Sequence, residues 1–133
     1  MLVRKTQIRT SDFQNFSKNK KALKGGYNEM KITNRTLITW LNGIIEFAKA
    51  ERDNGKALLT AKGEYAVVCN KKILTSAYEV YLEALEKVKD DKDEVIKLLD
   101  TEIEIPELRT VGMEDFRDGI TVDIISALEF MTV

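Results

Sequence analysis

Two glutamates, Glu102 and Glu104, have the residue type and spacing that come closest to a chemical site in this chain. They alternate with isoleucines, so a strand over 102–105 would place both carboxylates on its outward face. A pair of this kind can bind a metal ion or act as acid and base. Because no third ligand is identifiable, we favour a solvated sheet face and expect no metal site. A carboxylate-dependent enzyme that uses this pair is the third hypothesis for function, after the two given at the end of this subsection.

Most other catalytic chemistry is excluded by the residue types present. The chain contains no histidine, so Ser-His and Cys-His nucleophile pairs are impossible within it. Its one cysteine, Cys69, cannot supply a thiolate zinc site, and its apolar neighbours predict an inert, packed thiol. Gly55-Lys56 lacks the flanking residues of a P-loop, and the acidic run at 90–94 lacks the central glycine of a calcium loop. We expect no catalytic residue and no cofactor.

The overall composition is typical of a small globular protein of the cytoplasm. A chain of 133 residues can bury one hydrophobic core, and its residues are 44% apolar and 32% charged. No apolar run is long enough to span a bilayer, and no apolar segment follows the basic N-terminus as it would in a signal peptide. A single cysteine fits a reducing compartment. We therefore expect a cytoplasmic protein that has no membrane partner.

The charge distribution changes sharply at Met30. Residues 1–29 carry seven basic and two acidic side chains, whereas residues 30–133 carry fourteen basic and twenty acidic ones. The near-neutral total of −1 therefore hides a basic arm attached to an acidic body. We predict two parts: a basic N-terminal arm over 1–29 with a short helix, and a single acidic, mostly helical domain over 30–133.

A capping box at 11–14 predicts a short helix in the arm over 12–24. Its apolar stripe contains Phe13, Phe16 and Leu23, which indicates that the helix docks on a surface. The body of the same chain is the favoured surface, and an external partner is the alternative. In a second hypothesis the arm binds nucleic acid, with lysines along the phosphates and aromatic rings stacked on bases. The candidate partner-binding residues are Phe13, Phe16, Lys18, Lys20 and Lys21.

A long helix is predicted at the start of the body, capped by Asn34 and ending near Asp53. Gly43, inside this helix, either weakens it or permits the close approach of a neighbour. The residues at helical spacing, expected to face the core, are Leu37, Trp40, Leu41, Ile44, Ile45 and Ala48.

The next stretch, 56–69, is ambiguous. Val67, Val68 and Cys69 favour a strand, which would form a hairpin turning at 62–63. We favour instead one long helix over about 64–89, whose wide apolar face makes it the central element, with Tyr78 and Tyr81 as packing residues. One apolar stripe comprises Val67, Leu74, Tyr78, Tyr81, Leu82, Leu85 and Val88. The other comprises Ala66, Cys69, Ile73, Ala77, Val80 and Ala84.

Shorter elements complete the body. A capping box at Asp91 predicts a short helix, and the strand over 102–105 follows, with Ile103 and Ile105 facing inward. Residues 108–111 are expected to extend a second strand, and Thr121 can cap a last helix. The predicted fold class is mainly α (α+β): two long helices, short C-terminal helices and a small β element near 102–111.

From Met30 onward the chain resembles an uncharacterised family of small proteins encoded by phages and prophages of Gram-positive bacteria. The resemblance implies a bacterial host cell and supports the long helix over the hairpin, but it supplies no catalytic residue. Residues 1–29 lie outside the family pattern. The segments that carry the resemblance are Lys31-Ile-Thr-Asn-Arg-Thr-Leu37, Glu64-Tyr-Ala, Asn70-Lys-Lys-Ile73, Glu102-Ile-Glu-Ile105 and Ile120-Thr-Val-Asp-Ile-Ile-Ser-Ala-Leu-Glu-Phe130.

The same boundary suggests an internal translation start at Met30. Lys24-Gly25-Gly26 can be encoded by a bacterial ribosome-binding sequence, and Met30 follows three codons later. The alternative is that Lys-Gly-Gly simply ends the arm helix.

These observations lead to one favoured function and one alternative. We expect a phage or prophage accessory protein that acts by binding another protein, without catalysis, in virion assembly, host takeover or inhibition of a host defence. An acidic surface suits mimicry of nucleic acid toward a basic partner. The alternative is a nucleic-acid-binding module that uses the basic arm.

Overall fold

Helices dominate the part of the chain that the structure, a computed structural model, describes: residues 28–133. Two long helices, short C-terminal helices and a two-stranded antiparallel sheet confirm the predicted fold class. Short 3-10 turns at Met113–Asp115 and Glu129–Met131 flank the last helix. The elements in chain order are β1 (Glu29–Thr33), α1 (Asn34–Asn54), α2 (Ala61–Val88), α3 (Lys92–Leu99), β2 (Glu102–Pro106) and α4 (Val122–Ala127).

The first long helix begins one residue earlier than the predicted cap requires. Thr33 is the N-cap, and its hydroxyl accepts a hydrogen bond from the Thr36 N–H at 3.1 Å. The prediction that Asn34 caps α1 is therefore wrong, because Thr33 is still extended and Asn34 is already helical. The buried Asn34 side chain donates instead to the Leu98 carbonyl at 2.9 Å, which ties α1 to the end of α3.

The helical interpretation of the ambiguous stretch is confirmed, and the hairpin is wrong. Thr60 caps α2 by accepting a hydrogen bond from the Gly63 N–H at 3.3 Å, so the helix starts at Ala61 rather than near 64. Val67 faces the core from inside this helix. Its β-branched type is a weak preference, which packing of the helix overrides here.

The strand at 102–105 is confirmed, but the second strand expected over 108–111 does not form. β2 pairs with β1, so that Met30 lies opposite Ile105 and Ile32 opposite Ile103. Residues 108–111 contribute only a bridge from Val111 to Thr132.

A side chain explains why 108–111 does not continue the sheet. The buried amide of Asn70 accepts from the Arg109 N–H at 2.9 Å and donates to the Arg109 carbonyl at 2.9 Å. The backbone groups that a neighbouring strand would need are thus satisfied by α2.

The predicted boundary between arm and body falls inside β1. Glu29 pairs with Pro106, and the Glu107 N–H donates to the Asn28 carbonyl at 3.0 Å, so the paired segment precedes Met30. The arm itself lies outside the described residues, apart from 28 and 29. Its division from the body and its helix over 12–24 therefore stay predictions.

The core forms between α1, the first two-thirds of α2, the sheet and the C-terminal segment. Phe47, rather than the predicted Ile45, faces inward; Ile45 is 53% exposed. Val80 and Leu82 are also exposed, and no residue of α2 beyond Tyr81 is buried. The prediction of a wide buried face along all of α2 is thus wrong for its last two turns. The core comprises Ile32, Leu37, Leu41, Ile44, Phe47, Leu58, Leu59, Ala66, Val67, Leu74, Ile105, Leu108, Val111, Leu128 and Met131.

Gly43 permits the close approach that its position inside α1 suggested. A β-carbon at this position would collide with the carbonyl oxygen of Ala127, at the end of α4. Beside this contact, Trp40 stacks on Phe130 with ring centroids 5.1 Å apart. The glycine therefore fixes where α4 lies against α1.

Candidate interaction surface

The predicted partner-binding residues are Phe13, Phe16, Lys18, Lys20 and Lys21, and all five lie outside the described residues. Glu102 and Glu104 are described: both are exposed on the outward face of β2. Glu104 lies opposite Lys31 in the sheet, and Glu102 lies opposite Thr33. Within residues 28–133, no three His, Cys, Asp or Glu side chains are grouped so that they could hold a metal ion.

The acidic surplus of the body is confined to one end of the fold. Residues 79–104 carry ten acidic and four basic side chains, whereas the rest of the body carries ten of each sign. This segment contains the second half of α2, all of α3 and most of β2, which pack together. We call it the acidic pole. The sequence shows this charge cluster once residues 79–104 are counted separately from the rest of the body.

Part of the charge at the acidic pole is paired. Lys89 contacts Glu86 at 2.6 Å, and Lys97 contacts Glu94 at 3.0 Å. Asp100 pairs with Arg35 of α1 at 3.1 Å. All of these pairs are exposed, where an ion pair contributes about 0–1 kcal/mol. The pole therefore keeps a net negative field for an approaching partner.

An apolar groove of about 330 Å³ opens within the acidic pole. Small side chains on α2 leave the space, and Val80, which lines the groove, is 68% exposed. Concave, mostly apolar surfaces with a few polar groups are typical of binding sites. We call this the acidic groove. Its lining residues are Asn34, Ala77, Val80, Tyr81, Ala84, Leu98, Thr101, Ile103 and Glu104.

Tyr78 and Tyr81 pack together, as the sequence predicts. Their rings stack with centroids 5.9 Å apart, and Tyr81 is buried while Tyr78 is half-buried. Tyr81 forms one wall of the acidic groove, which the sequence pattern did not indicate.

A second groove, of about 470 Å³, lies nearer the start of α2. We call it the Cys69 groove. Cys69 is half-buried rather than enclosed, and it shares the groove with Ile73 of α2. On the neighbouring turn, Tyr65 lies under the Arg109 guanidinium, 5.1 Å from the ring centroid. The lining residues are Asn28, Cys69, Lys72, Ile73, Pro106, Glu107 and Arg109.

A third opening, of about 580 Å³, lies between α1 and α4. It contains the stacked Trp40 and Phe130 rings and two carboxylates, Glu46 and Glu129. Its lining is more polar than that of the acidic groove, so it is the weaker candidate for an apolar anchor.

One carboxyl pair with unusual electrostatics lies away from all three openings. Burial raises the pKa of Glu64 to about 7, and a hydrogen bond to Glu51 and the charge of Glu51 act in the same direction. The Leu59 N–H and the Arg117 guanidinium oppose the rise. Glu51 accepts from the Leu58 N–H at 2.9 Å and Glu64 from the Leu59 N–H at 3.2 Å. The pair thus fastens the α1–α2 connection.

A neighbouring carboxylate completes this connection. Asp115 accepts from the Thr60 hydroxyl at 2.7 Å and from the Gly112 N–H at 3.0 Å. These two hydrogen bonds lower the pKa of Asp115, and the bond from Gly112 has the larger effect. The Thr60 bond, together with the Thr60 N–H that donates to the Asp115 carbonyl at 2.9 Å, holds the C-terminal segment against the start of α2, so we assign Asp115 a structural role.

Comparisons with known proteins found no match: no family model, no curated protein and no solved structure resembles the chain significantly. Across residues 28–133, no helix is both long and apolar enough to cross a bilayer.

Proposed function

We propose that this protein is a phage or prophage accessory protein that acts by binding another protein, without catalysis of its own. The phage or prophage setting rests on the sequence resemblance alone. The binding role is supported by one observation above all: an open apolar groove inside the acidic pole, lined by the exposed Val80.

The chemistry of the groove favours a basic partner with an apolar anchor. Ala77 and Ala84 leave room for one or two large apolar side chains, and Val80 supplies exposed contact area. The surrounding residues have a net charge of −6 over 79–104. A basic protein segment with an apolar anchor fits this combination, because the anchor gains burial while the charges attract and orient it. Virion assembly, host takeover and inhibition of a host defence are all roles in which such a segment can be the target.

Selection from a random peptide library on the full-length protein tests this proposal. We expect enriched peptides to combine Lys or Arg with an aromatic or large aliphatic residue. Synthetic copies should bind with a Kd of about 1–100 μM, as expected for a short segment held by a small groove. Binding should weaken as salt rises, because the charges at the pole are exposed.

Two matched variants locate the binding. Val80→Lys, at the acidic groove, should weaken binding at least about tenfold, equivalent to about 1.4 kcal/mol. Val68→Lys adds the same charge at another exposed site on α2, about three turns from Val80 and outside the groove lining, and it should bind as wild type does. Absence of enriched peptides, or equal binding by Val80→Lys and wild type, would refute the proposal.

A single-stranded oligonucleotide tests the alternative function. We expect no binding tighter than about 10 μM at physiological salt, weaker than specific sites usually show. Sub-micromolar binding that falls steeply with salt would place the nucleic-acid module first.

A further inference from the structure

The acidic groove and the Cys69 groove lie end to end along one side of α2. Cys69 and Ile73 line the first, and Ala77, Val80 and Ala84 line the second. Steps of three and four residues keep these side chains on one side of a helix. From residue 69 to residue 84 this side is about 22 Å long, at 1.5 Å per residue.

The other wall of both grooves belongs to β2 and the residue after it. Pro106 and Glu107 line the Cys69 groove, and Ile103 and Glu104 line the acidic groove. The two openings therefore lie in line between α2 and β2, apolar at the acidic end and mixed at the other. We call this line of two openings the track.

The described chain begins at the Cys69 end of this track. Asn28 lines the Cys69 groove, and its amide donates to the Glu107 carboxylate at 3.2 Å. Whatever precedes Asn28 must leave the fold from this point. β1 then runs away from it, toward the acidic pole, with Thr33 opposite Glu102.

The arm has the length and sequence to return along the track. A helix over 12–24 is about 20 Å long, close to the length of the track. The three residues 25–27 span at most about 10 Å, so the end of that helix must stay near Asn28. Two of them, Gly25 and Gly26, suit a reversal of chain direction.

On this path, the apolar and basic side chains of the arm also meet surfaces of complementary chemistry. A helix that runs back from Asn28 brings Phe13 and Phe16 to the acidic groove, at the far end of the track. The residues before the helix then reach the acidic pole. They include Arg4, Lys5 and Arg9 and no acidic residue before Asp12.

We propose that the N-terminal arm docks on its own body along this track, with Phe13 and Phe16 in the acidic groove. Docking there makes the arm an internal competitor for the surface to which we assign partner binding. That regulatory consequence rests on the proposed function, whereas the docking itself does not. An external partner must displace the arm, and the observed affinity is reduced accordingly.

The sole native cysteine provides the test, because Cys69 lies in the track near the expected position of Leu23. In the docked arm of the full-length protein, Leu23→Cys would face the track, whereas Ala22→Cys would point its thiol about 100° away around the arm helix. A disulfide needs Cα atoms closer than about 7 Å, so Leu23→Cys should form the intramolecular disulfide about ten times faster than Ala22→Cys under mild oxidation. The same variants carrying Cys69→Ser should give no intramolecular product.

A second pair of variants tests the far end of the track. Val80→Lys, combined with Leu23→Cys, should slow the cross-link severalfold because it removes the apolar contact for the phenylalanines and repels the basic arm. Ile45→Lys, at an exposed position of α1 that lines neither groove, should leave the rate unchanged in the same background. Equal rates for Leu23→Cys and Ala22→Cys, or disulfides formed only between molecules, would overturn the docking in cis.

Each of the two proposals can be refuted without refuting the other. Cross-linking without peptide selection at the acidic groove would refute the external partner and leave the docked arm. Selection that depends on Val80, without cross-linking, would refute the docked arm alone.

Discussion

Burial and a neighbouring carboxylate act together at Glu64, whose pKa of about 7 keeps a proton on the Glu51–Glu64 pair near neutral pH. Between the ordinary carboxyl pKa and pH 7, the folded state holds this proton and the unfolded state does not. The stability that protonated Glu64 contributes is therefore fully present below the carboxyl pKa of the unfolded state, and it is lost as the pH rises through about 7.

Glu64→Gln, which mimics the protonated acid, should remove this dependence. We expect the variant to exceed wild type in free energy of unfolding by about 1 kcal/mol at pH 8, a value reduced by partial solvent access. Urea unfolding between pH 5 and pH 8 measures it, with Glu79→Gln, an exposed glutamate of the same helix, as control. An unchanged pH slope in Glu64→Gln would show that the pair holds no extra proton.

At the scale of elements, the contact between α1 and α4 depends on one missing side chain. Gly43→Ala raises helix propensity by about 1 kcal/mol, but its β-carbon would meet the Ala127 carbonyl. We expect a net loss of about 1–3 kcal/mol, as for other overpacked contacts. Asn42→Ala, the exposed neighbour, should be neutral or slightly stabilising by thermal unfolding. If Gly43→Ala equals or exceeds wild type in stability, α4 does not lie on this glycine.

Local sequence signals predicted the helices but not the sheet partner. Asp91 and Thr121 were identified as caps because each is followed at once by its own helix. β1 has only five residues and pairs with β2 some seventy positions later, so no short-range pattern could reveal it. Ile45 and Phe47 are both apolar in one helix, and only the position of the neighbouring elements decides which is buried.

The candidate site was less predictable than the fold, because it too depends on how elements that are distant in the sequence pack together. Val80 belongs to an apolar stripe, and its exposure follows from α2 extending beyond the core. Glu51 and Glu64 come together only through the buried loop residues Leu58 and Leu59, which lack any helical or strand period. The acidic pole, by contrast, can be recognised from the sequence alone, because the acidic residues are concentrated within 79–104.

Over the whole molecule, charge divides the protein into a basic arm, an acidic pole and a balanced remainder. Attraction between the first two favours contact at the pole, whether the basic segment comes from the same chain or from a partner. Because the pole encloses an apolar groove, contact there also gains hydrophobic burial, which salt does not screen.

Amide chemical-shift mapping of the full-length protein, titrated with a selected basic peptide, tests the central claim most directly. We predict shifts concentrated on 77–84 and 98–104, smaller in Val80→Lys, while the indole N–H of Trp40, the single tryptophan, stays in place. Shifts centred on the α1–α4 opening, or spread over the surface without a focus at the acidic groove, would contradict it.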